Sequence, residues 1–120
     1  MAEPGDGLLI ALVGPCAAGK TTMVSALRER GWSVRQPAQE HSGVPDMWRR
    51  MSRPDVLIYL DASLATIRRH RPWIDWGERY LAELERRLRH AREHADLVLC
   101  VDGQDVEESL ARIDEFLARL

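Results

Sequence analysis

Apolar residues recur in short blocks along the chain, and the period of the pattern changes from block to block. Leu8-Leu9-Ile10-Ala11-Leu12-Val13 is apolar without a break, as in a strand buried on both faces. Thr21 to Arg30 reads as a helix closed by Gly31, and Trp32 to Gln36 as a weaker strand ended by Pro37. A loop over Ala38 to Pro45 leads to a short helix over Val44 to Arg53, stopped by Pro54. Asp55 to Leu60 carries the strongest strand pattern, with Asp61 at its carboxyl end. Ser63 is placed to cap a helix from Leu64 to about His70. A tryptophan-rich turn, Pro72 to Gly77, precedes a long helix over Glu78 to His94, whose stripe is Leu81, Leu84, Leu88 and Ala91. Leu97 to Val101 is a fourth strand, and Val106, Leu110, Ile113, Phe116 and Leu117 recur at the spacing of a last amphipathic helix. Uniformly apolar strands alternating with helices predict an α/β domain, a parallel sheet of about four strands covered on both faces. No repeat, low-complexity tract or linker divides residues 1–120, and residues 1–7 read as a loose terminus.

Between the first strand and the first helix stands Gly14-Pro15-Cys16-Ala17-Ala18-Gly19-Lys20-Thr21, which fits the phosphate-loop pattern G-x-x-x-x-G-K-[ST] without a mismatch. With glycine near 7% of average usage, a chain of this length meets the pattern by accident roughly once in a few hundred cases. Gly14 and Gly19 permit backbone angles that turn successive N–H groups inward, with Ala17 and Ala18 between them, and the following helix adds its unpaired N–H groups and positive dipole end. Lys20 is the mobile cation for the outer phosphates, Thr21 the expected Mg²⁺ ligand, and Thr22 a contact to the inner phosphate. Loop and alternation together imply a three-layer P-loop NTPase fold with ATP and Mg²⁺ as its ligands. GTP is disfavoured because no Asn-Lys-x-Asp element occurs.

Charge changes the picture little. Seventeen basic against nineteen acidic residues leave no global field to favour nucleic acid or an anionic membrane. No apolar run approaches the ~20 residues of a membrane span, and the acidic, glycine-rich start is unlike a signal segment, so a cytoplasmic protein is expected. Cys16 and Cys100 form no framework. His90 and His94 share a helix face at i, i+4 without an evident third ligand, and read as a solvated face.

Ligands of such sheets bind at the carboxyl ends of the strands. That rule selects Gln39 and Glu40 after the second strand, Asp61 after the third, and Asp102 and Asp105 after the fourth, with Arg68-Arg69-His70-Arg71 one helix further on. Met47 and Trp48 are candidates for an apolar wall, with Gln39 and Glu40 fixing a polar edge. The alternative for those two residues is plain core packing. Trp73 and Trp76 are expected to anchor the turn before the long helix.

The loop, the run Pro54-Asp55-Val56-Leu57-Ile58-Tyr59-Leu60-Asp61, the arginines after it and Tyr80-Leu81-Ala82-Glu83-Leu84 together resemble the P-loop kinases of nucleosides and nucleotides, particularly thymidylate kinase and the deoxynucleoside kinases. The resemblance spans most of the chain. It implies that Arg68, Arg69 and Arg71 are lid arginines closing over the transferring phosphoryl group, and that Glu40 takes a proton from the acceptor hydroxyl. It also exposes a difference, since those kinases carry an Asp-Arg strand between the second strand and the Pro-Asp strand, and only about fifteen residues fill that interval here. Either Asp61 then supports the Mg²⁺ or Glu40 and water do. Two functions follow: a small-molecule kinase using Mg-ATP with Lys20, Glu40, Arg69 and Arg71 as its machinery, or an ATP-binding regulatory module with no small-molecule acceptor. A homodimer that completes the site suits so short a chain.

Overall fold

Alternation within the strands decides which helix covers which face. The computed structural model describes residues 3–15, 18–75 and 77–120. Strands β1 (Leu9–Val13), β2 (Ser33–Arg35), β3 (Val56–Asp61) and β4 (Leu97–Cys100) form one sheet in the order β2-β1-β3-β4, every pair parallel. Helices α1 (Lys20–Glu29), α2 (Met47–Ser52), α3 (Leu64–His70), α4 (Glu78–His94) and α5 (Val106–Ala118) connect and flank them. Ile10 and Leu12 of β1 and Ile58 and Leu60 of β3 bury on one face with Val24, Leu27, Ile113 and Leu117 of α1 and α5. Ala11, Val13, Leu57 and Tyr59 bury on the other, against Trp48 of α2 and Leu88 and Ala91 of α4. The stripe of α4 divides, because Leu81 in its first turn joins the first cluster.

β2 pairs directly with β1, so no strand lies between them, consistent with the short interval in the sequence. Two aspartates fasten the entrances of the ladders. Asp55 accepts from the Leu9 N–H at 2.8 Å, and Asp96 accepts from the Leu57 N–H at 2.8 Å, each pinning one strand start to its neighbour. At the opposite end Asp102 accepts from the Ser63 N–H and the Thr66 hydroxyl, which fixes the start of α3 beside β4. Those hydrogen bonds, that from Thr66 first, hold the Asp102 carboxyl below its ordinary pKa.

The expected elements all form, with shifted ends. The loop after β2 contains a single 3-10 turn, Gln39–His41, and the helix expected over 44–53 is confined to Met47–Ser52. It ends where Arg53 takes φ 45° ahead of Pro54, whose ring disfavours a helical predecessor. Trp73 is 76% exposed and so does not anchor the turn before α4; Trp76 lies outside the described residues. No helix among the described residues is long and apolar enough to cross a membrane.

Candidate functional site

The loop from Gly14 to Gly19 leaves the carboxyl end of β1 and enters α1, and its two terminal glycines are needed for different reasons. A Cβ on Gly14 would lie 2.3 Å from the carbonyl oxygen of Leu60, so the loop passes too close to β3 for any side chain. Gly19 has open space around it but φ of 94°, the left-handed region that costs other residues about 1 kcal/mol or more. It begins α1 without a side-chain cap, so no N-cap side chain occupies the first N–H groups of that helix. Ala18 is buried behind the loop, and Ala17 lies outside the described residues.

A cleft of about 420 Å³ opens on this helix start. Gly19, Lys20, Thr21 and Thr22 form one side of it. Glu40, Gln36, Arg71, His70 and Val106 supply the rest. The loop, the turn after β2 and the end of α3 therefore meet at one place, as the strand-end rule requires.

Lys20 is the only lysine in the chain and is 5% exposed. Its Nζ donates to the Gly14 carbonyl oxygen at 2.6 Å and to Glu40 Oε1 at 2.8 Å. Glu40 is 6% exposed, and His41 Nε2 stands 3.6 Å from the same Oε1. The other carboxylate oxygen, Oε2, is buried without a hydrogen-bond partner among the described residues. An unpaired buried carboxylate oxygen is costly, and this one is closed off from solvent. Among the described residues these contacts use two of the ammonium's three N–H donors. The Thr21 hydroxyl, exposed in the first turn of α1, offers a hard oxygen ligand beside them.

Other sequence candidates fall elsewhere. Arg71 lines the cleft and makes no ion pair among the described residues, whereas Arg69 is exposed and does not line it. Arg68 approaches Gly77 instead, its Nη2 3.9 Å from where a Cβ would stand. Asp61 faces α4, its carboxylate 3.3 Å from Arg92, and is not part of the cleft wall. Beside it on the same face, burial and then the Asp61 charge raise the Tyr59 phenol above its usual range.

Gln39 and Trp48 are structural. Gln39 is fully buried: its amide donates to the Val44 and Arg87 carbonyls at 2.9 and 3.0 Å, and its oxygen accepts from the Trp48 N–H at 2.7 Å. Trp48 lies in the second core cluster and donates from Nε1 to His90 Nδ1 at 3.1 Å. Both are thus committed to the chain itself, and Met47 does not line the cleft. Sequence reasoning missed Gln36 and Val106, while His70 belongs to the run already singled out after β3. Gln36 directly follows β2, and Val106 begins α5 after β4, so the strand-end rule applied one residue or one loop further would have found them.

No protein-family model matches this chain, and no curated protein matches it.

Proposed function

We propose that the chain is a compact P-loop kinase-like protein that binds Mg-ATP and transfers the terminal phosphoryl group to the hydroxyl of a small acceptor. The observation that carries this reading is the 2.8 Å pairing of Lys20 with Glu40 on a cleft at the uncapped start of α1. An uncapped helix start, a cation and a carboxylate brought to one cleft are parts phosphoryl transfer requires. Loop and helix N–H groups hold the phosphate chain, and Lys20 exchanges the Gly14 carbonyl for an outer phosphate oxygen. Thr21 is the residue fit to hold Mg²⁺, because Asp61 would first have to leave Arg92. The metal, when bound, supplies positive charge against the phosphate oxygens.

In the transfer itself, Glu40 accepts the acceptor's hydroxyl proton while that oxygen bonds to the terminal phosphorus. The bond from phosphorus to the bridging oxygen breaks, and its electron pair leaves on ADP. Arg71 lies where a guanidinium meets the charge spread over the transferring group.

A second reading, an ATP-binding or ATP-hydrolysing regulatory module without a small acceptor, is favoured by one feature. Lys20 and Glu40 occupy each other, and Glu40 Oε2 is shut away from solvent. The experiment that separates the two is ATP turnover with Mg²⁺, alone and against pooled small acceptors, with products followed by mass. ADP that rises with an acceptor, together with a product heavier by one phosphoryl group, supports the kinase; binding of ATP without acceptor-stimulated turnover supports the module.

A further inference from the structure

The Gln39–His41 turn separates two clefts. Glu40 faces the one described above, while the next residue, His41, lines a second of about 530 Å³ between the following loop and α4. The division is built firmly. Gln39 donates to the Arg87 carbonyl at 3.0 Å, and Arg87 Nη1 donates to the Glu40 carbonyl at 3.4 Å, so the turn is locked to the helix from both directions. With His41 Nε2 3.6 Å from Glu40 Oε1, the width of one imidazole ring separates the second cleft from the carboxylate of the first.

The lining of the second cleft is polar and charged. Arg86, Arg87 and Arg89 face Glu83 and Glu93, three cations against two anions before the histidines are considered. Arg86 and Arg87 are both held by Glu83, at 2.6 and 3.2 Å, and that pairing, Arg86 foremost, lowers the Glu83 pKa. Arg89 makes no ion pair among the described residues and is the cation left for a ligand. Pro45 is the only apolar residue on this wall among those described. The imidazoles of His41 and His90 are the aromatic surface of this cleft, and arginines and glutamates make up half of its lining residues among those described. Two carboxylates, the Ser42 hydroxyl and one guanidinium outside any ion pair among the described residues match a small molecule rich in hydroxyls and bearing one anionic group.

We propose that the second cleft is the acceptor site, and that the acceptor is a small polyhydroxylated anion, a sugar phosphate or a sugar acid, rather than a nucleoside. Arg89 holds the anionic group and Glu83 and Glu93 accept from hydroxyls, so the bound molecule lies one imidazole, that of His41, away from Glu40. The chemical step rests on the phosphoryl-transfer reading; the binding step does not.

The test is calorimetry on the full chain without nucleotide, using ribose 5-phosphate for the phosphate arm and gluconate for the carboxylate arm. Ribose and thymidine serve as the uncharged and nucleoside comparisons. The expected result is that at least one anion binds at least tenfold more tightly than ribose and thymidine, that Arg89→Gln weakens it about tenfold or more, and that Arg89→Lys restores part of the loss. Which arm binds identifies the anionic group. Equal or tighter binding of thymidine, no binding of either anion, or an anion affinity unchanged by Arg89→Gln overturns the proposal. A parallel titration with Mg-ATP keeps the two readings apart. ATP binding with failed anion binding sinks this inference alone, whereas Arg89-dependent anion binding without ATP binding sinks the phosphoryl-transfer reading and leaves the ligand class standing.

Discussion

Replacing Lys20 by Met removes one half of a buried ion pair, and the structure sets the size of the effect. The side chains of Lys20 and Glu40 are 4% and 8% exposed and meet at 2.8 Å, and Lys20 also donates to Gly14 at 2.6 Å. Truncating one partner of such a pair leaves the other as an uncompensated buried charge, a loss of about 3 kcal/mol or somewhat more. Against a total stability of about 5–15 kcal/mol, that is a large fraction. With an m value of about 1.5 kcal/mol/M, the urea midpoint should fall by about 2 M. Neutralising the stranded carboxylate should recover most of it, so Lys20→Met/Glu40→Gln is expected to be more stable than Lys20→Met by about 2 kcal/mol. Urea unfolding of the parent, both single variants and the double variant closes the cycle. Additive effects, or a Lys20→Met protein as stable as the parent, would refute the claim that these two groups compensate each other inside the fold.

Three further outcomes follow from particular contacts. Gly14→Ala should lower thermal stability more than Gly19→Ala, because its Cβ meets the Leu60 carbonyl at 2.3 Å while Gly19 has room and only an unfavourable φ of 94°; the reverse order in thermal melts would contradict the close approach of loop and β3. In turnover assays Arg71→Ala should reduce kcat about tenfold or more and Arg69→Ala much less, since only Arg71 lines the cleft; equal effects would show that the end of α3 is arranged otherwise. Hydrogen bonds from Thr66 and Ser63 favour ionised Asp102, so its stabilisation is complete above the ordinary carboxylate pKa of about 3.9 and disappears as pH falls through the lower folded value. Asp102→Asn should therefore lose less stability than the parent between pH 4 and pH 2, and parallel acid-unfolding curves would remove that role from Asp102.

The architecture was legible because its signals are local. Apolar runs such as Val56 to Leu60 and the stripe Leu81, Leu84, Leu88 and Ala91 fix strand and helix by period alone, and the order of elements then dictates parallel pairing. Glu40 was legible too, since its position just beyond a strand end marks it whatever its neighbours do. What sequence could not give was orientation. Asp61 ends β3 as expected, but strand alternation sends its side chain to the α4 face and Arg92, away from the cleft. Gln39 reads like a loop residue free to meet a ligand; only the packing of the turn on α4 shows that each end of its amide is already used. The arginine run shows the same limit, because Arg71, just past the end of α3, lines the cleft while Arg69, two residues earlier, does not.

The account depends most on Lys20 acting as a ligand-binding cation at the start of α1, and Mg-ATP calorimetry tests it directly. Comparison of the parent with Lys20→Met/Glu40→Gln, whose fold is expected to be retained, keeps stability out of the result. The account predicts saturable binding to the parent and an affinity at least a hundredfold weaker in the double variant. Equal affinities, or a parent that binds no Mg-ATP, would contradict it.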